Sequence, residues 1–129
     1  MKTLEKLREE YNNLNKKRNA IYRKIEELEQ QEVNNKFTIS ECYVDTYSKS
    51  FKKILALDGN VLYCMVVNNE SILRDIYYLY DTKCWKKITS EQFKDIYLAV
   101  LKDIQDQDLD DKESNWFIVY KSIMNSINS

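Results

Sequence analysis

Residues 51–67 have the sequence FKKILALDGNVLYCMVV, in which an Asp-Gly pair separates two apolar runs. Asp-Gly between apolar runs is a strong hairpin signal, because a type I′ turn requires positive φ and glycine adopts positive φ without strain. In the second run, residues 61–67, both alternating sets of side chains are apolar, which is typical of a strand covered on both faces. We therefore predict an antiparallel hairpin whose second strand is the central strand of the sheet.

Further strands are predicted on both sides of this hairpin. Before it, residues 37–47 alternate in polarity as a half-buried strand does. The side chains expected on one face are Phe37, Ile39, Tyr43 and Tyr47. After the hairpin, a polar turn leads to an apolar run at residues 72–80, and residues 84–88 are a candidate continuation of that strand. An antiparallel sheet of four to five strands is therefore expected.

Two helices are predicted to follow the sheet. Residues 89–92, Thr-Ser-Glu-Gln, fit a capping box, with a hydroxyl at the N-cap and glutamine three residues later. The apolar residues between 93 and 104 then recur at helical spacing, as on a helix that packs against a sheet. A second apolar stripe runs from Trp116 to Ile127. With both helices packed on the sheet, the fold class is α+β.

The first 35 residues carry a heptad pattern. With Leu4 at position a, every a and d position through residue 28 is apolar except one, which is an arginine. These positions are Leu4, Leu7, Tyr11, Leu14, Arg18, Ile21, Ile25 and Leu28. About three and a half heptads without glycine or proline predict a coiled-coil helix, and thirty residues would make a rod of roughly 45 Å.

The rod predicts self-association. A helix of that length exceeds the width of a small domain, so part of its apolar seam should meet another helix, most simply that of a second copy. The alternative is an N-terminal helix that folds back on its own sheet. We expect a coiled-coil helix at residues 1–35, a single compact α+β body at residues 36–129, and a homodimer.

Composition bounds the protein class. The chain has 129 residues, 43% of them hydrophobic and 32% charged, as expected for one globular domain. No apolar run approaches the roughly 20 residues of a membrane-spanning helix, so no membrane partner is expected. Three irregularly spaced cysteines favour a reducing compartment over a disulfide framework. The expected location is the cytoplasm of the producing or host cell.

Several enzyme classes are excluded by residue counts. The chain has no histidine, one glycine and no proline. One glycine cannot build a Gly-rich phosphate loop, and a chain without histidine lacks the commonest general base and metal ligand. The cysteines form no CxxC pair and have no histidine beside them, which argues against a zinc site or an activated thiol. We expect no cofactor and no catalysis.

One acidic segment resembles a calcium loop in part. Asp106, Asp108 and Asp110 match the first three ligand positions of an EF-hand. The match fails where a glycine is needed, which is Asp111, and where a bidentate glutamate is needed, which is Phe117. The segment is therefore interpreted as an exposed acidic loop, and no metal site is expected.

Aromatic and basic residues gather in two parts of the predicted sheet. Tyrosine and tryptophan provide large contact area with few rotatable bonds, which is why protein interfaces favour them. The candidate partner-binding residues are Tyr47, Lys49, Lys52, Tyr78, Tyr80, Lys83, Trp85, Lys86 and Lys87. They also fit an ordinary sheet surface, since strands favour tyrosine, or a nucleic-acid face with bases stacked on the rings.

The function expected from these patterns is that of a non-catalytic protein-binding module dimerised by its N-terminal helix. Abundant Asn, Lys, Ile and Tyr indicate an AT-rich genome, and small proteins of phages and mobile elements often act as stoichiometric inhibitors of host defence proteins. The alternative is a nucleic-acid-associated regulator that uses the lysine and tyrosine surface. Net charge of −1 favours neither a strongly basic nucleic-acid binder nor an acidic DNA mimic.

Overall fold

The computed structural model of the chain describes residues 3–106 and 114–128. A long helix leads into a five-stranded antiparallel sheet, and two helices follow it. The elements are α1 (Leu4–Lys36), β1 (Cys42–Asp45), β2 (Ser50–Asp58), β3 (Val61–Val67), β4 (Ile72–Tyr78), a 3₁₀ turn (Leu79–Thr82), β5 (Trp85–Ile88), α2 (Ser90–Gln105) and α3 (Asn115–Asn128). The predicted α+β fold class is confirmed.

The strand order differs from the prediction at one edge. The sheet has the order β4-β3-β2-β1-β5, so β2 is the central strand and β3 lies beside it. The shift arises because β5 does not continue β4. It crosses to the opposite edge and pairs antiparallel with β1. The apolar pattern of β3 reflects burial between two strands and under both cores, with Leu62 and Val67 fully buried.

The β2–β3 turn is shifted by one residue from the predicted Asp-Gly turn. Asp58 pairs with Val61, so the two-residue loop is Gly59-Asn60. Gly59 has φ of 60°, while the only other positive φ values in the described chain belong to Ser40 and Lys49. Positive φ at the first central residue alone is the pattern of a type II′ turn, in which glycine takes that position.

The first strand is shorter than the alternating pattern predicted. Helix α1 continues to Lys36, and β1 begins only at Cys42, after a turn in which Ser40 has φ of 75°. A second turn then ends the strand at Asp45. The four side chains predicted on one face therefore separate: Phe37 and Tyr43 are buried, whereas Ile39 and Tyr47 are exposed.

Helices α2 and α3 cover one face of the sheet. The predicted capping box is present: Gln92 N donates to Thr89 Oγ1 at 3.1 Å, and Thr89 N donates to Gln92 Oε1 at 2.9 Å. Asp103 of α2 accepts hydrogen bonds at 2.8 Å from the backbone N–H groups of Asn115 and Trp116, which fixes the start of α3. The core on this face contains Cys42, Val44, Phe51, Val67, Ile88, Phe93, Ile96, Val100, Trp116 and Ile123.

The other face of the sheet curves around a second hydrophobic core. We call this face the coiled face and its core the coiled core. Tyr77 lies at the end of β4 and Trp85 at the start of β5, which are diagonally opposite corners of the sheet. Their ring centroids are nevertheless 5.2 Å apart, so the sheet curls strongly towards this face. The C-terminal part of α1 contributes to the same core, which contains Val33, Phe37, Tyr43, Ile54, Leu62, Cys64 and Val66.

The remainder of α1 projects away from the body. Val33 is its one buried residue. The seven apolar residues of the predicted seam between Leu4 and Leu28 have exposed fractions of 45% to 65%, and Arg18 is exposed with them. In the single chain the helix does not fold back along its own sheet.

Candidate protein-binding surface

Two polar turns from distant parts of the sequence meet at one end of the sheet. The backbone N–H and the Oγ1 of Thr46 both donate to the carbonyl oxygen of Cys84, each at 3.0 Å. This contact joins the β1–β2 turn, residues 46–49, to residues 83–84 before β5. We call residues 46–49 and 83–84 the two-loop surface. It unites Tyr47 and Lys49 from one predicted cluster with Lys83 from the other.

The β1–β2 turn is held by its own hydrogen bonds. Asp45 Oδ1 accepts from the backbone N–H of Tyr47 at 3.0 Å and of Ser48 at 3.3 Å. Lys49 N donates to the Asp45 carbonyl oxygen at 2.8 Å, with Lys49 in a left-handed conformation at φ 58°. These bonds fix the turn while the Tyr47 side chain is 88% exposed. An exposed aromatic side chain on a fixed backbone loses little backbone freedom on binding.

Lys52 does not belong to this surface, contrary to the prediction. Its side chain is 2% exposed, because it points from the central strand into the coiled face of the sheet. Lys52 Nζ hydrogen-bonds to Ser50 Oγ, lies 4.0 Å from Asp45 Oδ2, and lies 4.9 Å and 5.8 Å from the ring centroids of Tyr77 and Trp85. Burial lowers the pKa of the Lys52 ammonium group, and the Asp45 carboxylate partly offsets that effect.

Lys52 instead supports the two-loop surface from beneath. It contacts Asp45, whose other carboxylate oxygen holds the backbone of the β1–β2 turn. It also contacts Trp85, which follows residues 83–84 directly. A buried lysine with one carboxylate and two aromatic rings around it therefore connects both turns to the core. Sequence reasoning missed Asp45, although an aspartate that opens a polar run between two strands is a common signal for such a turn.

Trp85 is packed more deeply than an exposed anchor would be. Its ring is half-buried, with centroid distances of 6.1 Å to Phe37, 5.9 Å to Tyr43 and 5.2 Å to Tyr77. Its Nε1 is buried without a hydrogen-bond partner. Trp85 follows the two-loop surface directly in the chain, and its ring contacts stabilise the core formed by Phe37, Tyr43 and Tyr77.

Tyr78 and Tyr80 lie at the opposite end of the sheet, at the 3₁₀ turn. Their rings are parallel, with a centroid distance of 6.1 Å and an interplanar angle of 2°, and Tyr80 is 69% exposed. Between this turn and α1 lies an open groove of about 360 Å³, lined by Glu29, Glu32, Lys36, Leu79, Tyr80, Thr82 and Lys83. Lys83 belongs to both this groove and the two-loop surface.

Lys86 and Lys87 do not form a joint basic patch. They are neighbours on edge strand β5, so their side chains point to opposite faces of the sheet. Lys87 forms a salt bridge and hydrogen bond with Glu41, and this contact lowers the pKa of the Glu41 carboxyl group. A row of lysines that follows a phosphate backbone is therefore not assembled by these two residues.

The cysteines occupy two kinds of position. Cys42 and Cys64 are buried in strands, and burial raises the pKa of the Cys64 thiol to about 12. Cys84 is exposed in the turn before β5, outside the strand in which it was predicted. Within residues 3–106 and 114–128, no group of three or more Cys, Asp or Glu side chains could hold a metal ion. Asp108, Asp110 and Asp111 lie outside the described residues.

Comparison with other proteins leaves function to be argued from this geometry. No family model, curated protein or solved structure matches the chain. In the part of the chain that the structure describes, no helix combines the length and apolarity needed to cross a membrane. The two features that remain are the exposed heptad seam of α1 and the two-loop surface.

Proposed function

We propose that this protein is a non-catalytic protein-binding module that forms a homodimer through α1 and presents the two-loop surface to a protein partner. The observation that carries the proposal is the exposed heptad seam. Its seven apolar side chains remain 45% to 65% exposed on an ordered helix. An apolar stripe of that regularity at the surface of a protein usually marks an interaction site.

The two-loop surface supports the second half of the proposal. It combines an exposed tyrosine, Tyr47, with Lys49 and Lys83 at its margin, and the half-buried Trp85 adjoins it. Interface hot spots are enriched in tyrosine and tryptophan surrounded by polar residues. The hydrogen bonds of Thr46 and Asp45 hold this arrangement before any partner binds.

The proposed partner class is an association drawn from composition. A chain rich in Asn, Lys, Ile and Tyr, with one glycine and no proline, fits an AT-rich genome, as in low-GC bacteria, their phages and some parasites, and small proteins of phages and mobile elements often act as inhibitors. The role proposed is stoichiometric inhibition of a host defence protein in the cytoplasm of the producing or host cell. Competing with it is a nucleic-acid-associated regulator, which would use Lys49 and Lys83 on phosphates and Tyr47 on bases.

Dimerisation is tested by adding charge to the seam. Light scattering of the wild-type chain at tens of micromolar should give the mass of a dimer. The Leu14→Glu/Ile21→Glu variant should give a monomer whose body unfolds at the wild-type temperature. A matched control, Ala20→Glu/Gln30→Glu, adds the same charge on the outer face of the helix and should remain dimeric. A monomeric wild-type chain would refute this half of the proposal.

Partner binding is tested at Tyr47. A partner isolated from host lysate on the immobilised chain should bind Tyr47→Ala about 2 kcal/mol more weakly, and Tyr63→Ala, which alters an exposed tyrosine elsewhere, with unchanged affinity. Steep weakening of nucleic-acid binding with salt would instead support the regulator, because phosphate contacts release counterions. Turnover of a substrate that is abolished by one carboxylate or cysteine substitution would refute a non-catalytic role.

A further inference from the structure

We infer that two copies of α1 associate antiparallel, with Leu4 of one copy opposite Leu28 of the other. This inference rests on the proposed dimerisation and adds its orientation. In such an arrangement each a position faces a d position of the second copy. The apolar layers would be Leu4 with Leu28, Leu7 with Ile25 and Tyr11 with Ile21, each formed twice.

The charge distribution along the helix favours this orientation. Residues 16–24 contain five basic residues and no acidic one, whereas residues 26–32 contain four glutamates and no basic residue. A parallel dimer in register places the two copies of residues 16–24 side by side, so that their basic side chains repel one another. In the antiparallel arrangement residues 16–24 face residues 8–16 of the second copy, where two glutamates and two basic residues balance.

Arg18 discriminates between the orientations within the seam. In a parallel dimer its a position meets the same residue of the second copy, so two guanidinium groups share one layer. In the antiparallel dimer Arg18 faces Leu14, and its long side chain can reach solvent past that residue. The cost of a polar residue in the seam is therefore smaller in the antiparallel dimer.

The flanking positions offer an attractive pair in either orientation and do not decide between them. Antiparallel helices bring position g to g and e to e, which pairs Glu10 with Lys24 and Arg8 with Tyr22, each twice. One pair is unfavourable, because Lys17 meets its own copy. In a parallel dimer the attractive pair would be Lys24 with Glu29, also formed twice.

Glu29 is already engaged by its own body. Asn60 Nδ2, in the β2–β3 turn, donates to Glu29 Oε2 at 3.1 Å. Glu10 also has an interaction within its own chain, so each orientation would share an existing contact: that of Glu10 in the antiparallel dimer and the Asn60–Glu29 bond in the parallel one. The Asn60–Glu29 bond marks where the body begins, one residue beyond Leu28, so the antiparallel overlap ends where the helix meets its body.

The antiparallel dimer places the two bodies at opposite ends of a rod. The overlap from Leu4 to Leu28 spans roughly 36 Å at 1.5 Å per residue. The points at which the two bodies begin are then about that far apart, and each body presents its own two-loop surface. The partner class that fits this spacing is a protein with two separated copies of the same site, or two partner molecules bound without mutual contact.

Cysteine cross-linking tests the orientation. In a Cys84→Ser background, which removes the exposed thiol, Leu4→Cys alone should not form a disulfide-linked dimer on oxidation. An equimolar mixture of the Leu4→Cys chain and the Leu28→Cys chain should form a linked heterodimer on a non-reducing gel. A linked dimer of the Leu4→Cys chain alone would overturn the antiparallel orientation while leaving the proposed dimer intact. A monomer in light scattering would overturn both.

Charge reversal provides an independent readout. Glu10→Lys should raise the dimer dissociation constant by about tenfold, because it creates two like-charge pairs with Lys24. Glu10→Lys/Lys24→Glu should restore the wild-type value. In a parallel dimer the second substitution would instead oppose Glu29, so a further loss of affinity in the double variant would overturn the inference.

Discussion

The projecting part of α1 and the body both carry apolar side chains at regular spacing, yet these side chains have opposite environments. In the body, Phe51, Ile54 and Val100 are completely buried. Along α1, Leu4 and Leu14 are each 65% exposed although their spacing is just as regular. The sheet is covered on one face by α2 and α3 and on the other by its own curvature and the end of α1. No element of the described chain is left to cover the seam.

This difference shows that periodicity predicts secondary structure more directly than it predicts burial. A heptad pattern and an alternating pattern both specify which side chains share a face. Burial of that face depends on a second surface of matching length. The body supplies such surfaces from within one chain, whereas no element in the described part of the chain covers the seam.

The largest difference is expected between an alanine substitution in the core of the body and one in the seam of α1. Phe51→Ala should lower the free energy of unfolding by about 3–5 kcal/mol, because Phe51 is fully buried and its ring packs against Tyr120. Leu14→Ala should change the unfolding of the body by less than about 0.5 kcal/mol. Urea denaturation followed by tryptophan fluorescence measures both. Equal losses would show that the seam is covered by its own body.

A similar contrast is expected within the candidate surface. Trp85→Ala should destabilise the body by about 2–3 kcal/mol, since the ring contacts three aromatic side chains of the coiled core. Tyr47→Ala should change the free energy of unfolding, measured by thermal denaturation, by less than about 0.5 kcal/mol, because the side chain is 88% exposed. If Trp85→Ala left stability intact, the residue would act at the surface alone, as the sequence had predicted.

Alkaline pH should destabilise the body through its buried phenol and thiol groups. Burial raises the pKa of Tyr43 from 10.0 to about 12 and that of Cys64 from 9.0 to about 12. Because the unfolded chain loses these protons first, stability should fall as pH rises from about 9 to 12. The lowered pKa of Lys52 has the opposite effect, because near this pH the lysine holds its proton more tightly in the unfolded chain than in the folded one. Stability therefore rises with pH through Lys52, but only up to about pH 10.5, the ordinary pKa of lysine.

The clearest window is therefore pH 10.5–12. Chemical denaturation of Cys64→Ala and Tyr43→Phe across this range should give a shallower loss of stability than the wild-type chain shows. A fragment of residues 29–129 should keep the wild-type pH dependence, because both groups belong to the body. An unchanged slope in both variants would mean that neither group is protonated more tightly in the folded chain.

The smallest difference in stability is expected between substitutions at the N-caps of α2 and α1. Thr89→Ala should lower the stability of the body by about 1 kcal/mol, because Thr89 Oγ1 accepts from Gln92 N at the start of α2. Thr3→Ala removes the equivalent bond from Lys6 N at the start of α1. It should fray the rod without altering the unfolding of the body, which circular dichroism and tryptophan fluorescence together can separate.

Local sequence patterns accounted for most elements and for part of the candidate surface. The Asp-Gly pair located the hairpin, and Thr89 with Gln92 located the start of α2 to the residue. Tyr47 and Lys49 were assigned to the candidate surface and are exposed on it. Lys52 was assigned wrongly, because a lysine in an alternating strand is expected at the surface unless a carboxylate and aromatic rings meet it in the interior.

The sequence determined that residues 4–28 form a helix with one apolar seam, that the hairpin turns at Gly59, and that two amphipathic helices follow the strands. These properties depend on neighbours within a few positions, where spacing and backbone preference are sufficient. The tertiary structure decided that β5 pairs with β1 and that Tyr77 meets Trp85 over Lys52. It also decided that Thr46 joins Cys84, thirty-eight residues away. Those contacts depend on the curvature of the whole sheet. That curvature accumulates from the twist of all five strands, so no single segment of the sequence predicts it.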